Sequence, residues 1–223
     1  MILKEVSAKV EAREKIGIAG RTGSGKSSLT LALFRIVELE RGHILIDGVD
    51  IRSVGLHTLR KAMTMIPQDP VLFQGSLQYN LDPNALHSSE EIAAVMREVG
   101  LDFDTSREVN EGGMNFSVGE RQLMCIARAG LANPKILVLD EATSAIDHHT
   151  DALIQQYLRT KFACTIITIA HRLHTILDSD RVMVLEHGRL VEFDRPQVLL
   201  EDKGSSFFQL AKSLGFGGVK PDE

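Results

Sequence analysis

Short apolar runs recur along the chain, and polar or helix-like stretches separate them. The runs at 16–19, 63–66, 136–139, 165–169 and 182–185 each predict a strand. Because strands that alternate with helices form mainly parallel sheets, we expect an α/β fold with helices on both faces of the sheet. A chain of 223 residues fits one domain, residues 1–223.

Other segments predict smaller elements beside this sheet. Residues 2–12 alternate loosely between apolar and polar positions, as a half-buried strand does. The turn Asp47-Gly48 lies between two strand-like runs and predicts a hairpin in a small antiparallel β subdomain. From about residue 75 to 128 the pattern turns helical and predicts an inserted helical subdomain, with one helix beginning near Ser89.

A glycine-rich loop follows the first buried strand and precedes a helix predicted over 26–36. Its residues match the pattern G-x-x-x-x-G-K-[ST], in which backbone N–H groups surround phosphate oxygens. Lys26 can reach the β- and γ-phosphates and the Ser27 hydroxyl can ligate Mg²⁺. The alternative is a glycine-rich turn that matches by chance. The residues expected to contact phosphate are Gly20, Arg21, Thr22, Gly23, Ser24, Gly25, Lys26, Ser27 and Ser28.

Two acids end the apolar run at 136–139. In a phosphate-binding fold of this kind, Asp140 would hold Mg²⁺ largely through water. Glu141, one residue further on, could polarise an attacking water molecule. The alternative is an ordinary strand end with solvated acids.

Composition narrows the classes of function. A net charge of −5 argues against a general nucleic-acid binder, so we expect no nucleic-acid partner. The chain has no run of eighteen apolar residues and no signal-peptide pattern, which favours the cytosol or the cytosolic side of a larger protein. Cys125 and Cys164 lie in apolar stretches and are expected to be buried thiols.

Further motifs give the chain a family resemblance. Gln68 follows Pro67 at a strand end, and residues 116–122 (FSVGERQ) precede a helix expected to run to about Ala132. Residues 144–147 and His171 follow in order. With the glycine-rich loop and the paired acids, this set resembles the nucleotide-binding domain of ATP-binding cassette (ABC) transporters, whose fold is that of the P-loop NTPases.

The resemblance implies an ATPase with ATP and Mg²⁺ as ligands. Gln68 would contact the metal and nucleotide, and His171 would be the switch histidine beside the catalytic Glu141 and Lys26. Ser117 and Gly119 would contact ATP held by a second nucleotide-binding domain, paired head to tail. The resemblance also implies transmembrane domains as partners and a position on the cytoplasmic face of a membrane, where ATP hydrolysis powers transport.

A finer resemblance is to the C subfamily, which contains the multidrug-resistance-associated proteins. It is carried by residues 20–29, by Gly75-Ser76-Leu77 with 80–83, and by 111–115. Glu141 and the Ser-Val-Gly form of the signature are similar to the second, C-terminal cassette. This implies amphipathic organic anions or drugs as transported solutes. Residues 1–15 hold no aromatic side chain to stack on adenine, so we expect a chain truncated at its N-terminus.

Two departures from the family pattern leave other functions open. Glu120 stands where the signature usually has glutamine, and a carboxylate near a triphosphate is unfavourable unless it points away. The segment over residues 101–110 is also shorter than the family's usual link to the signature. One alternative is therefore a regulatory nucleotide-binding module with little hydrolysis. Another is an ABC-type ATPase of DNA repair, which the acidic charge and the absence of a long insertion between Gln68 and Ser117 disfavour.

Overall fold

The computed structural model describes residues 2–140, 148–169 and 173–214. Strands in these residues are β1 (Lys15–Ala19), β2 (Leu45–Ile46), β3 (Val49–Asp50), β4 (Met63–Ile66), β5 (Gly75–Ser76), β6 (Glu108–Val109), β7 (Ile136–Asp140), β8 (Thr165–Ile169), β9 (Arg181–Glu186) and β10 (Arg189–Asp194). Helices are α1 (Lys26–Leu33), α2 (Leu56–Lys61), α3 (Leu77–Leu81), α4 (Ser89–Glu98), α5 (Val118–Ala132), α6 (His148–Lys161), α7 (Leu173–Leu177), α8 (Pro196–Glu201) and α9 (Ser206–Ser213).

The chain forms two compact units, Met1–Met63 with Thr165–Glu223 and Thr64–Cys164. In the first unit the strands lie side by side in the order β10, β9, β1, β8. Strand β1 pairs in parallel with β8 and β9, and β9 pairs with β10 as an antiparallel hairpin. The β1 strand is therefore central in this unit, and residues 16–19 are buried.

Helices cover both faces of this sheet because neighbouring strand residues point to opposite sides. On one face Ala19 and Val184 pack in a buried cluster with Phe207 of α9. On the other face Ile18 and Leu185 pack against Leu29 of α1. Helix α1 and the loop before it are thus fixed to the carboxyl end of a buried parallel strand.

The second unit holds β7, all of β4 except Met63, and the four helices α3 to α6. Strand β7 lies beside β4. A two-stranded antiparallel sheet joins β5 to β6, with Gly75 opposite Val109. Arg107 stacks over the rings of Phe103 and Phe116, at 4.4 and 4.6 Å from their centroids. The segment between α4 and α5 is therefore built around an aromatic pair and a cation.

All five strand predictions are confirmed, with boundary shifts of at most one residue. The Asp47-Gly48 hairpin is also confirmed, since both residues have positive φ and join β2 to β3. Helix α5 ends at Ala132 as predicted, where Asn133 adopts a left-handed conformation.

Other element predictions were wrong. Of the described residues 2–12 none lies in a strand, and Glu5 leaves the extended region with a φ of 54°. Helix α1 ends at Leu33, not Ile36, because Arg35 has a φ of 48°. Helix α4, in contrast, begins at Ser89 as expected, with Ser88 as its N-cap. Strand β10 and the β5–β6 sheet were not predicted.

Both cysteines are buried and form no disulfide, as expected. Burial raises the pKa of the Cys125 and Cys164 thiols. No helix within the described ranges combines the length and the apolar character needed to cross a bilayer.

Candidate functional site

The glycine-rich loop connects β1 to α1 and depends on backbone conformations that favour glycine. Gly20, Gly23 and Gly25 have φ values of 151°, 78° and 111°. A Cβ atom at Gly20 would lie 2.5 Å from both Ser24 Oγ and the Leu185 carbonyl oxygen. Because L side chains rarely adopt these φ values, the three glycines allow a tight concave loop.

The ammonium group of Lys26 is folded against this loop. Its Nζ atom donates to the Gly20 carbonyl oxygen at 2.7 Å and to the Arg21 carbonyl oxygen at 3.2 Å. Lys26 is only 7% exposed although it begins a helix. The loop therefore holds one buried cation beside its own backbone.

The donors around the loop fit an anion. Gly25 caps α1 without a side-chain hydrogen bond, and the first turn contains no acid. First-turn N–H groups have no intrahelical acceptor and carry partial positive charge. Ser24 Oγ is buried and has no partner among the described residues, so a buried hydroxyl is available to a ligand. Phosphate oxygens would satisfy these donors.

The remaining residues of the predicted loop are more exposed to solvent. Arg21, Thr22, Gly23 and Ser27 are exposed, and Ser28 is half-buried. The Ser24 carbonyl oxygen accepts from Gly188 N–H, which fixes the loop to the turn between β9 and β10.

Gln68 is an exposed residue just after β4, and its backbone is anchored from α5. Gln122 Nε2 donates to the carbonyl oxygen of Pro67 at 3.0 Å. Gln122 is 2% exposed, so this amide reaches the strand end from a buried position. Sequence reasoning missed Gln122, because a contact across 55 residues leaves no local pattern.

A second anchor holds the segment that follows Gln68. The Asn80 side chain accepts from Phe73 N–H and donates to the Phe73 carbonyl oxygen, both at 2.8 Å. Arg128 Nε donates to the Asn80 carbonyl oxygen at 2.8 Å. These contacts explain why asparagine stands at position 80, in the segment 80–83 that carried the subfamily resemblance.

Asp140 is the half-buried last residue of β7, after Leu137 and Val138, which are fully buried. Its neighbour in the sheet, β4, leads to Gln68, so two of the predicted metal ligands follow adjacent strands. Glu141, the segment 144–147 and His171 lie outside the described residues, and their predicted roles stay predictions.

The predicted signature forms the start of α5. Ser117 caps the helix, and its Oγ accepts from Glu120 N–H at 3.2 Å. In return Glu120 Oε2 accepts from Ser117 N–H at 2.7 Å. The Glu120 carboxylate therefore does not point away from the helix start but turns back onto it.

Gly119 is not required by the packing of its own unit. Its φ is not positive, and a Cβ atom built there would meet nothing within 4 Å. Glycine lowers helix stability by about 1 kcal/mol relative to alanine in a helix interior. Neither a positive φ nor close packing within its unit therefore explains the glycine at position 119.

The chain is similar to known proteins of one family. A family model described as "ABC transporter" matches residues 3–144. The chain is 52% identical over 231 residues to "ATP-binding cassette sub-family C member 2" of Rattus norvegicus, with all of the chain and 15% of that protein covered. It is 52% identical over 227 residues to "ATP-binding cassette sub-family C member 4" of Mus musculus, covering 97% of the chain and 17% of that protein.

A solved structure is also similar over nearly the whole chain. It is described as "Structure of a bacterial Atm1-family ABC exporter with ATP bound" and superimposes with a TM-score of 0.90 at 36% identity. The match covers 98% of this chain and 40% of that one. The chain therefore spans only about a sixth of the curated relatives given above.

Proposed function

Because this chain belongs to the ABC transporter family, within its C subfamily, we propose that it is an ATP-binding and ATP-hydrolysing cassette of a membrane exporter. The observation that carries the proposal is the loop at 20–27. There, three positive-φ glycines, the buried Lys26 ammonium and the unpartnered Ser24 hydroxyl together fit a polyphosphate.

Each loop residue has a proposed part in binding. Lys26, now bonded to two loop carbonyl oxygens, turns to the β- and γ-phosphates of ATP. The backbone N–H groups from Gly20 to Ser28 and the Ser24 hydroxyl donate to phosphate oxygens. Because the loop is already concave, little backbone reorganisation opposes binding.

Ser27, Gln68 and Asp140 are the proposed ligands of Mg²⁺. Hydroxyl, amide and carboxylate oxygens suit this hard cation, which retains part of its water shell. Bound there, the ion would offset phosphate charge. Glu141 follows Asp140 in the sequence and is proposed to orient the attacking water, with His171 as the switch residue near the γ-phosphate.

The cassette is proposed to work in a head-to-tail pair with a second nucleotide-binding domain. Ser117 and Gly119 at the start of α5 would contact ATP held by that partner, which is supported by the unexplained glycine at position 119. Residues 1–223 would act as one nucleotide-binding domain, with a helical subdomain near 75–128. Transmembrane domains, a site at the cytoplasmic face and organic anions or drugs as solutes complete the proposal by analogy with the subfamily.

A regulatory module with little hydrolysis is the second candidate. The observation that favours it is the Glu120 carboxylate, which occupies the Ser117 N–H group at the signature. Such a module would bind ATP and pair without appreciable turnover.

Turnover measured on the 223-residue chain tests the proposal. We expect Mg²⁺-dependent phosphate release that Glu141→Gln reduces at least about a hundredfold, consistent with the loss of a general base, while ATP binding is retained. ATP-dependent pairing without phosphate release would support the regulatory module. If Glu141→Gln released phosphate at the wild-type rate, the proposed role of Glu141 would be wrong.

A further inference from the structure

The Glu120 carboxylate already occupies the start of α5. Ser117 N–H donates to Glu120 Oε2 at 2.7 Å, and Glu120 N–H donates to Ser117 Oγ at 3.2 Å. This reciprocal pair is a capping box, which satisfies two N–H groups that the helix leaves open. The Ser117 side chain is therefore an acceptor here, and its backbone donor is in use.

The charge of Glu120 makes this cap different from one formed by a neutral side chain. A carboxylate is stabilised by the partial positive charge at a helix N-terminus. Its hydrogen bond is charge-assisted and roughly twice as strong as that of a neutral acceptor. The neighbouring cation Arg121 is turned elsewhere, since its Nη1 donates to the Gly112 carbonyl oxygen at 3.0 Å.

A phosphate arriving at this surface meets the same donors. It needs the N–H groups at the helix start and the hydroxyl hydrogen of Ser117. It also meets a negative charge within a few ångströms of those donors, which repels it. Cap and phosphate thus compete for one helix N-terminus, because the carboxylate holds Ser117 N–H and its charge repels the phosphate.

We propose that Glu120 is a built-in competitor of the ATP held by the partner cassette, and that its charge sets how much ATP is needed to close the pair. The inference rests on the proposed function, because it assumes that Ser117 and Gly119 face a partner's triphosphate. On closure the Glu120 carboxylate leaves Ser117 N–H and swings into solvent. The cost of that exchange weakens pairing without affecting ATP binding at the glycine-rich loop.

The same unit offers a matched control. Helix α4 begins with a capping box of the same kind, in which Ser88 N–H donates to Glu91 Oε2 at 2.8 Å and Glu91 N–H donates to Ser88 Oγ at 3.2 Å. Glu91→Gln changes the same cap chemistry at a helix start with no proposed phosphate. Glu120→Gln keeps a capping side chain of the same length and removes only the charge.

The test is sedimentation of the 223-residue chain over a range of concentrations of ATPγS, a slowly hydrolysed ATP analogue, with Mg²⁺. Glu120→Gln is expected to lower the concentration for half-maximal pairing about tenfold, since a nearby like charge costs roughly that factor in an equilibrium constant. Glu91→Gln is expected to stay within about twofold of the wild type. With ADP, which lacks the γ-phosphate, Glu120→Gln should give no gain.

Each other outcome has a definite meaning. Equal pairing curves for wild type and Glu120→Gln, or equal gains from Glu120→Gln and Glu91→Gln, would overturn the inference while leaving the proposed function intact. Nucleotide binding without pairing in every variant would overturn the inference and the paired arrangement together. Absence of nucleotide binding in the wild type would overturn the proposed function itself. Thermal unfolding of all three proteins checks that the caps still support the fold.

Discussion

The hydroxyl of Tyr157 in α6 lies against Gly130 of α5, in the space that any side chain at position 130 would fill. Tyr157 is 7% exposed, and its hydroxyl has no hydrogen-bond partner among the described residues. The ring of Tyr157 also packs edge-on against Phe162, with centroids 5.9 Å apart. The signature helix is thus fitted closely against the helix that follows β7.

A methyl group at position 130 should disturb this fit. We expect Gly130→Ala to lower the free energy of unfolding by about 1–3 kcal/mol, the usual cost of overpacking a core. Tyr157→Phe removes the atom that clashes, so the double variant should recover part of the loss. Urea unfolding measures both effects. Unchanged stability in Gly130→Ala would show that the two helices do not meet as described.

Tyr157 should also give stability a dependence on alkaline pH. Burial, and secondly the charge of Glu98, raise the pKa of Tyr157 to about 12. An unfolded tyrosine ionises near pH 10, so the unfolded state loses its proton first. The contribution to stability is full below about pH 10 and is lost as the pH rises towards 12. Tyr157→Phe should unfold with a shallower pH dependence in that window, and identical slopes would contradict the prediction.

Alanine at position 119, in the same helix, should not lower stability as alanine at position 130 does. Because its Cβ position is open, Gly119→Ala should leave stability unchanged or raise it by up to about 1 kcal/mol. The added methyl group should nevertheless hinder ATP-dependent pairing, since glycine there permits close approach. Thermal unfolding and sedimentation with ATPγS separate the two effects. Loss of stability without loss of pairing would assign Gly119 to the fold alone.

The pair Glu14–Arg181 should make the fold sensitive to acid. Arg181 Nε and Nη2 donate to the two carboxylate oxygens of Glu14, at 2.5 and 2.8 Å. These bonds hold the pKa of Glu14 below its ordinary value. Its contribution to stability is therefore present above about pH 4.3 and is lost as the pH falls through the lowered pKa.

A matched pair of variants checks this contribution. Glu14→Gln should lower stability at neutral pH by about 1–3 kcal/mol, as loss of a charge-assisted bond does, and should flatten the acid dependence. The Glu5–Arg189 bridge lies on the surface, with Glu5 82% exposed, so Glu5→Gln should change stability by less than about 0.5 kcal/mol. Similar losses of stability from both variants would show that the Glu14–Arg181 pair contributes no more than a surface salt bridge.

The features that depend on short stretches of sequence could be predicted from the sequence alone. The buried strands and the glycine-rich loop depend on runs of a few residues, and the structure has them where they were expected. The β10 strand was missed because none of its six residues is buried and half of them are polar, and because the turn at His187 and Gly188 is not a common hairpin pair.

Contacts between residues that lie far apart in the sequence could not be predicted from it. The bond from Gln122 to Pro67 spans 55 residues and depends on how α5 packs. The Glu120 cap is a different case, since the spacing Ser-x-x-Glu is a local signal that could have predicted it.

The central claim, that the loop at 20–27 binds ATP through Lys26, is tested most directly by calorimetric titration of MgATP into wild type and Lys26→Met. Methionine keeps much of the side-chain length but removes the charge, and loss of a charged hydrogen bond of about 2 kcal/mol should weaken binding roughly thirtyfold. Lys9→Met, at an exposed surface bridge to Glu11, should bind as the wild type does. Equal affinities for wild type and Lys26→Met, or no binding by the wild type, would contradict the account.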